Sequence, residues 1–170
     1  MSNYTITTNF GAKDLLNSGN PLKLILGAQF TTEFTNIATA IATKVDALSG
    51  SFTGTLTGMT GATTGTINYL IANGVCTLTA LLTITGTSNS TSMTMTGLPG
   101  ACTPSGGDPQ VPCALLENNT QTDTFGAAVI ANNGVISFLL PSGTQYLLGQ
   151  FTSSGTKGIS AGWTVTYPLT

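Results

Sequence analysis

The sequence predicts a mainly β protein, with an extended N-terminal arm and one α-helix ahead of an antiparallel β-sandwich or jelly-roll knob. Three observations predict it. About a fifth of the 170 residues are Thr, whose branched β-carbon suits a pleated, half-exposed surface. Asn73-Gly74 and Asn133-Gly134 each separate two runs rich in strand-forming residues, the strongest short hairpin signal. One stretch, residues 31–48, lacks Gly and Pro and carries apolar residues at helical spacing.

Composition narrows the function. Hydrophobic residues make up 41% of the chain and charged residues 6%, against about 25% charged in an ordinary globular protein. There is no Arg, and Lys13, Lys23, Lys44 and Lys157 are scattered. Nucleic-acid binding needs clustered cations, so that class is excluded. A surface this uncharged gives little repulsion between copies, which suits a subunit whose surfaces are covered in an assembly. No run approaches the roughly 20 apolar residues of a membrane span, so no membrane insertion is expected. The opening MSNYTITTNFGAKD lacks the charged start and apolar run of a signal peptide. The expectation is synthesis in the cytoplasm, with release by lysis or dedicated export.

Four zones follow one another. Residues 1–30 are an irregular arm containing SNYTITTNF, NSGNP and LKLIL. It is expected either to order against a partner or to pack as a strand on the subunit's own core. Residues 31–48, TTEFTNIATAIATKVDAL, read as a helix capped by Thr31 or Thr32, with Glu33 in the first turn. Phe30, Phe34, Ile37, Ile41 and Leu48 follow a 4-3-4-7 spacing, with Lys44 interrupting one core position. That is a short heptad stripe, and Ile at both core positions favours more than two strands in a coiled coil. The alternative is an amphipathic helix lying on its own domain. Residues 49–66, with the near-repeats FTGT, LTGM and TTGT, read as a Gly/Thr-rich spacer. Phe52, Leu56 and Met59 suggest a packed shaft, and the alternative is a loose linker.

Residues 67–170 read as the knob, with seven or eight strands expected. The hairpins lie in INYLIANGVCTLTALLTIT and GAAVIANNGVISFLL, and further strands at TSMTMTG, QYLLGQF and GWTVTYPL. Alternation points Met93, Met95, Val165 and Tyr167 inward, and Trp163 is expected in the core. The Pro/Gly/Asn-rich loop 101–124 is the candidate contact surface, because long loops often carry function. Exposed members among Tyr69, Tyr146, Trp163 and Tyr167 would stack on sugars.

Chemistry is sparse. There is no His, hence no Ser-His-Asp or Cys-His unit and no imidazole ligand. No catalytic residue, metal site or cofactor is expected. Glu117 and Asp123 are the one carboxylate pair near enough in sequence to consider for glycoside hydrolysis, and both read better as solvated loop charges. Cys76 reads as a buried thiol. Cys102 and Cys113 bracket ACTPSGGDPQVPC and are a candidate disulfide. Cytosolic synthesis argues for reduced thiols at first, and oxidation in a mature particle remains open.

The stretch NYTITTNFGAKDLLNSGNPLKLILGAQFTTEFTNIATAIATKVD resembles the anchor segment of fibre and decoration proteins of tailed bacteriophages, especially short-tailed ones. FTGTLTG resembles the spacers that follow such segments, and GTKGISAGWTVTYPL looks like the last strands of small β-domains on phage particles. The resemblance covers residues 3–58 well and the rest weakly. It implies a non-enzymatic virion protein, a homotrimer exposed on the particle surface. Tyr4, Ile6, Phe10, Lys13 and Asp14 would anchor it to the major capsid protein or another virion protein. Phe30, Phe34, Ile37, Ile41 and Leu48 would hold the trimer. One β-domain is short for a long tail fibre, so a head fibre or capsid decoration is expected. The alternative is a tail fibre or receptor-binding protein whose knob recognises a host surface glycan.

Overall fold

A computed structural model describes residues 4–42, 47–118, 120–121 and 125–170. The chain divides into two compact units, Met1–Asp46 and Ala47–Thr170.

In the first unit a short helix α1 (Phe10–Asp14) is capped by Asn9, whose side chain accepts from the Ala12 amide. A 3-10 turn at Pro21–Lys23 is capped in the same way by Asn20. The long helix α2 runs Gly27–Ala42. It starts four residues before the Thr31 expected from sequence, because the start uses a cap with no Ser, Thr or Asp. The Gln29 side chain reaches back to accept from the Leu26 amide at 3.1 Å, the returning half of a capping box. Thr31, Thr32, Thr35 and Thr39 each donate their hydroxyl to the carbonyl four residues earlier. None of the four is a cap, and each hydroxyl is satisfied within the helix. Lys44 lies outside the described residues. Leu48 is not helical: it is the first residue of a strand, opposite Ile71.

The second unit is built of β1 (Leu48–Thr57), β2 (Thr63–Ala72), β3 (Val75–Ala80), β4 (Ile84–Thr87), β5 (Met93–Thr96), β6 (Gln110–Cys113), β7 (Leu116–Glu117), β8 (Thr120–Gln121), β9 (Gly126–Ile130), β10 (Ile136–Ser142), β11 (Gln145–Leu147), β12 (Thr156–Ile159) and β13 (Thr164–Pro168). Among the described residues, one sheet runs in the order β13-β3-β2-β1-β5-β10-β9-β6, with β11 on β10, and a smaller sheet runs β4-β12-β7-β8. All named pairings are antiparallel. The two ends of the larger sheet, β13 and β6, touch, so the sheet curls into a near-barrel around one core. The mainly β, antiparallel reading of the sequence stands.

The two hairpins differ. Asn73 and Gly74 both have positive φ, 51° and 76°, as a two-residue turn of the primed type requires. At the second, Ala131 and Val135 close a wider loop, with the Asn133 side chain accepting from the Val135 amide. The inward positions are Cys76, Leu78 and Ala80 on β3, Met93 and Met95 on β5, and Val165 and Tyr167 on β13, all buried. Phe138 and Trp163 meet edge to face at 5.9 Å.

The Gly/Thr-rich stretch 49–66 is not a spacer or shaft. It forms β1 and the start of β2, and the second unit begins at Ala47. Leu56 and Met59 are core residues. Gly54 and Gly65 face each other across the pair. A Cβ on Gly65 would lie 2.3 Å from Ile84 Cδ1, and one on Gly54 would lie 2.8 Å from Met95 Sδ. These glycines are the dimple into which two large side chains pack.

Candidate assembly site

Glu33 sits one turn and a half into α2 and is buried. Its carboxylate accepts from the Tyr4 hydroxyl, the Thr7 amide and hydroxyl, and the Thr8 amide. Asn36 adds a longer contact, 3.5 Å to the Thr7 hydroxyl. Four donors on one carboxylate favour its charged form. The Thr7 and Tyr4 contacts hold its pKa down at about 2 despite the opposing effect of burial. In return the Tyr4 hydroxyl is pushed up, first by that hydrogen bond. The arm is therefore laid along the helix of its own chain.

The arm covers one flank of α2, that of Glu33. At 100° per residue, Phe30, Phe34, Ile37 and Ile41 fall on the neighbouring flank. There Phe30, Phe34 and Ile41 are 45%, 65% and 64% exposed, and Ile37 is half-buried. Phe10 stacks on Phe30 at 5.7 Å, and Phe30 on Phe34 at 6.3 Å, so α1 extends this row by one ring. This exposed apolar row is the candidate interaction surface of the first unit.

The five arm residues expected to grip the particle divide. Tyr4 is engaged with Glu33, and Phe10 with Phe30. The Lys13 ammonium donates to the carbonyls of Leu22 and Leu24 at 2.8 and 3.2 Å. These three shape the unit itself. Asp14 lends its backbone carbonyl to Lys23. Ile6 is open to solvent. Sequence reasoning missed Glu33 as a clasp, and missed Leu15, Leu22, Leu24 and Leu26, all more than half exposed.

In the second unit, Lys157 is 1% exposed. Its ammonium donates to the carbonyls of Ser90 and Ser92 and lies 5.4 Å over the Phe151 ring. Burial pushes its pKa down, against the pull of Glu117, its cross-strand partner. One Glu117 oxygen accepts from the amide and hydroxyl of Thr152, and the other is buried without a hydrogen bond. Glu117 thus holds a loop in place, and Asp123 lies outside the described residues. The segment 101–124 is not one loop: it opens within the turn Gly100–Cys102 and contains the strands β6, β7 and β8.

The thiols correct another expectation. Cys76, Cys102 and Cys113 are all free and buried. Cys102 lies against Cys76, and burial first, then Cys76, pushes its thiol up to about 12. Burial raises Cys113 to about 11, with the neighbouring Trp163 opposing. That contact falls short of a hydrogen bond, and the Trp163 indole N–H has no partner. The Tyr167 hydroxyl, opposite Cys76, donates to the Cys102 carbonyl at 2.7 Å. So Cys102 is built into the core beside Cys76 rather than paired with Cys113. Of the candidate sugar-stacking aromatics, Trp163 and Tyr167 are core, Tyr69 is half-buried, and Tyr146 is exposed. Among the described residues there is no cluster of three His, Cys, Asp or Glu that could hold a metal. Nor is any helix among them long and apolar enough to cross a membrane.

No protein-family model matches the chain, and no curated protein matches it. Among solved structures it is similar to the reovirus attachment protein sigma1, determined in complex with alpha-2,3-sialyllactose. The identity is 17% and the TM-score 0.46, covering 72% of this chain and 66% of that one. The chain thus spans just under two thirds of that structure's length. At this level of likeness nothing about partners or activity passes to this chain.

Proposed function

We propose that the chain is a non-enzymatic structural subunit of a tailed-phage virion. It is a homotrimeric head fibre or capsid decoration protein, held by its first unit on the major capsid protein or a neighbouring virion protein. The observation that carries this is the open row of Phe30, Phe34, Ile37 and Ile41, beside a flank already occupied by the chain's own arm. Packing three such rows together buries them, which an isolated unit of this size cannot do. The low charge supports it: residues 47–107 contain no charged side chain, so copies meet with little repulsion. The assignment to a phage particle rests on the sequence resemblance of residues 3–58.

Particles assembled with a chain lacking residues 1–30 test the reading. The truncated chain is expected to be missing from purified particles while the full chain is retained. Equal retention overturns the reading.

One observation favours receptor binding as a second reading. Phe125 and Tyr146 are exposed. Tyr146 lies opposite Pro141 on β10, and Phe125 immediately precedes β9, which also pairs with β10. An aromatic pair on one sheet end suits the face of a host sugar. Binding of the full chain to host cells that drops on Tyr146→Ala and Phe125→Ala supports it, and binding unchanged in both removes it.

A further inference from the structure

We infer that Cys76 and Cys102 are a disulfide site: a small-molecule disulfide such as oxidised glutathione joins them covalently, fastening the turn Gly100–Cys102 to β3 and leaving Cys113 as a thiol. The inference is independent of the proposed virion role.

Both residues are fully buried in one core cluster, and the end of β13 brings them together. Tyr167 lies opposite Cys76 in the β13–β3 pair, and its hydroxyl donates to the Cys102 carbonyl at 2.7 Å. Two residues on, the Leu169 amide donates to the Gly74 carbonyl at 2.8 Å, and the Leu169 carbonyl accepts from the Ser105 amide at 2.9 Å. Gly74 lies just before Cys76 in sequence, and Ser105 just after Cys102. The end of β13 therefore positions both cysteines through hydrogen bonds that use neither sulfur. The Cys102 thiol lies against that of Cys76. From contact, only a short approach remains to the roughly 2 Å of an S–S bond. Cys113 is placed elsewhere, on β6 opposite Gly126 and beside the Trp163 indole.

The exchange runs in two steps. One cysteine, as thiolate, attacks a sulfur of oxidised glutathione, whose S–S bond breaks and releases one glutathione thiolate. The other cysteine then attacks the mixed disulfide on the protein and displaces the second glutathione. The two leaving thiolates take up the two protons that the cysteines gave. Two protein thiols are oxidised by two electrons, and one glutathione disulfide is reduced to two thiols. The burial of both sulfurs sets the timing. In the folded reduced chain Cys102 stays protonated and closed off from an oxidant. Gly100 and Ala101 beside it are exposed, so the turn is a surface cover over the pair. The bond forms while the chain folds, before this turn settles. It closes a loop that holds β4, β5 and the Ser90 and Ser92 carbonyls bound by Lys157. Such a closure constrains the unfolded chain and so favours the folded one.

The full chain is reduced and unfolded in urea, freed of reductant, and refolded by dilution into a mixture of reduced and oxidised glutathione. Remaining thiols are alkylated and the linkages are mapped by peptide mass spectrometry. The expected result is a Cys76–Cys102 link with Cys113 alkylated. The urea midpoint is expected to rise by about 1 M over the same chain refolded with dithiothreitol, and the rise is expected to vanish in Cys102→Ala. Three alkylated thiols overturn the inference, and so does any pairing that includes Cys113. A Cys76–Cys102 link that leaves the midpoint unchanged or lowers it overturns the fastening. A rise that survives in Cys102→Ala overturns it as well, by assigning the effect to another group. Should Cys102→Ala fail to fold, the linkage map and the two midpoints of the parent chain decide alone.

Discussion

The Tyr4 hydroxyl donates to the Glu33 carboxylate at 2.5 Å, across 29 positions of sequence. With Thr7 and Thr8 on the same carboxylate, this bond makes one helical side chain responsible for the path of the arm. Glu33→Gln keeps the shape but loses the charge and one acceptor oxygen. The amides of Thr7 and Thr8 are then expected to exchange hydrogen faster, on the order of tenfold, with the amides of β3 and β10 unchanged. Unchanged exchange at Thr7 and Thr8 would show that the arm is held by something other than Glu33.

The same clasp is pH-dependent. The folded-state pKa of Glu33, about 2, lies below its ordinary value of 4.5. The unfolded arm therefore takes up a proton before the folded one does, and the stabilisation is complete above about 4.5 and is lost as pH falls towards 2. Carboxyl NMR of Glu33 is expected to show a midpoint near 2. A midpoint near 4.5 would mean that the four donors do not act on the charged form.

Lys157 ties Ser90 and Ser92 to β12 from inside the unit. Lys157→Met keeps an unbranched side chain but removes the ammonium from the Ser90 and Ser92 carbonyls, the first keeping the Ser88 hydroxyl as donor. The expected cost is about 2–3 kcal/mol, read as a lower urea midpoint at unchanged slope. A change under about 0.5 kcal/mol would mean that water replaces the ammonium readily.

The three thiols are expected to stay unreactive towards an aromatic disulfide reagent in the folded chain and to react together on unfolding. Burial raises Cys102 and Cys113 far above neutral pH, and the thiolate is the attacking form. A Cys102–Cys113 crosslink recovered from native protein would contradict the placement of Cys102 beside Cys76.

Local signals were legible and distant ones were not. Asn73-Gly74 announces its own turn, and the row Phe30, Phe34, Ile37, Ile41 announces a helix face, because each depends on neighbours within a few residues. The role of Glu33 was hidden, since its partners lie 25 to 29 positions away. The same holds for Lys157, whose acceptors are 65 and 67 positions away. Residues 49–66 misled for a different reason. In a strand, Gly usually weakens the alternation that identifies it. Here Gly54 and Gly65 occupy inward positions because Met95 and Ile84, from other strands, fill the space. The stretch therefore looks like low-complexity linker although it lies in the sheet.

Light scattering of the full chain beside Phe34→Asp and Ile41→Asp is the most direct measurement. A trimer held by the open row predicts three times the 17.3 kDa chain mass for the parent and a single chain for each variant, with the β unit still folded by circular dichroism. A parent of single-chain mass, or variants that keep the trimer, would contradict it.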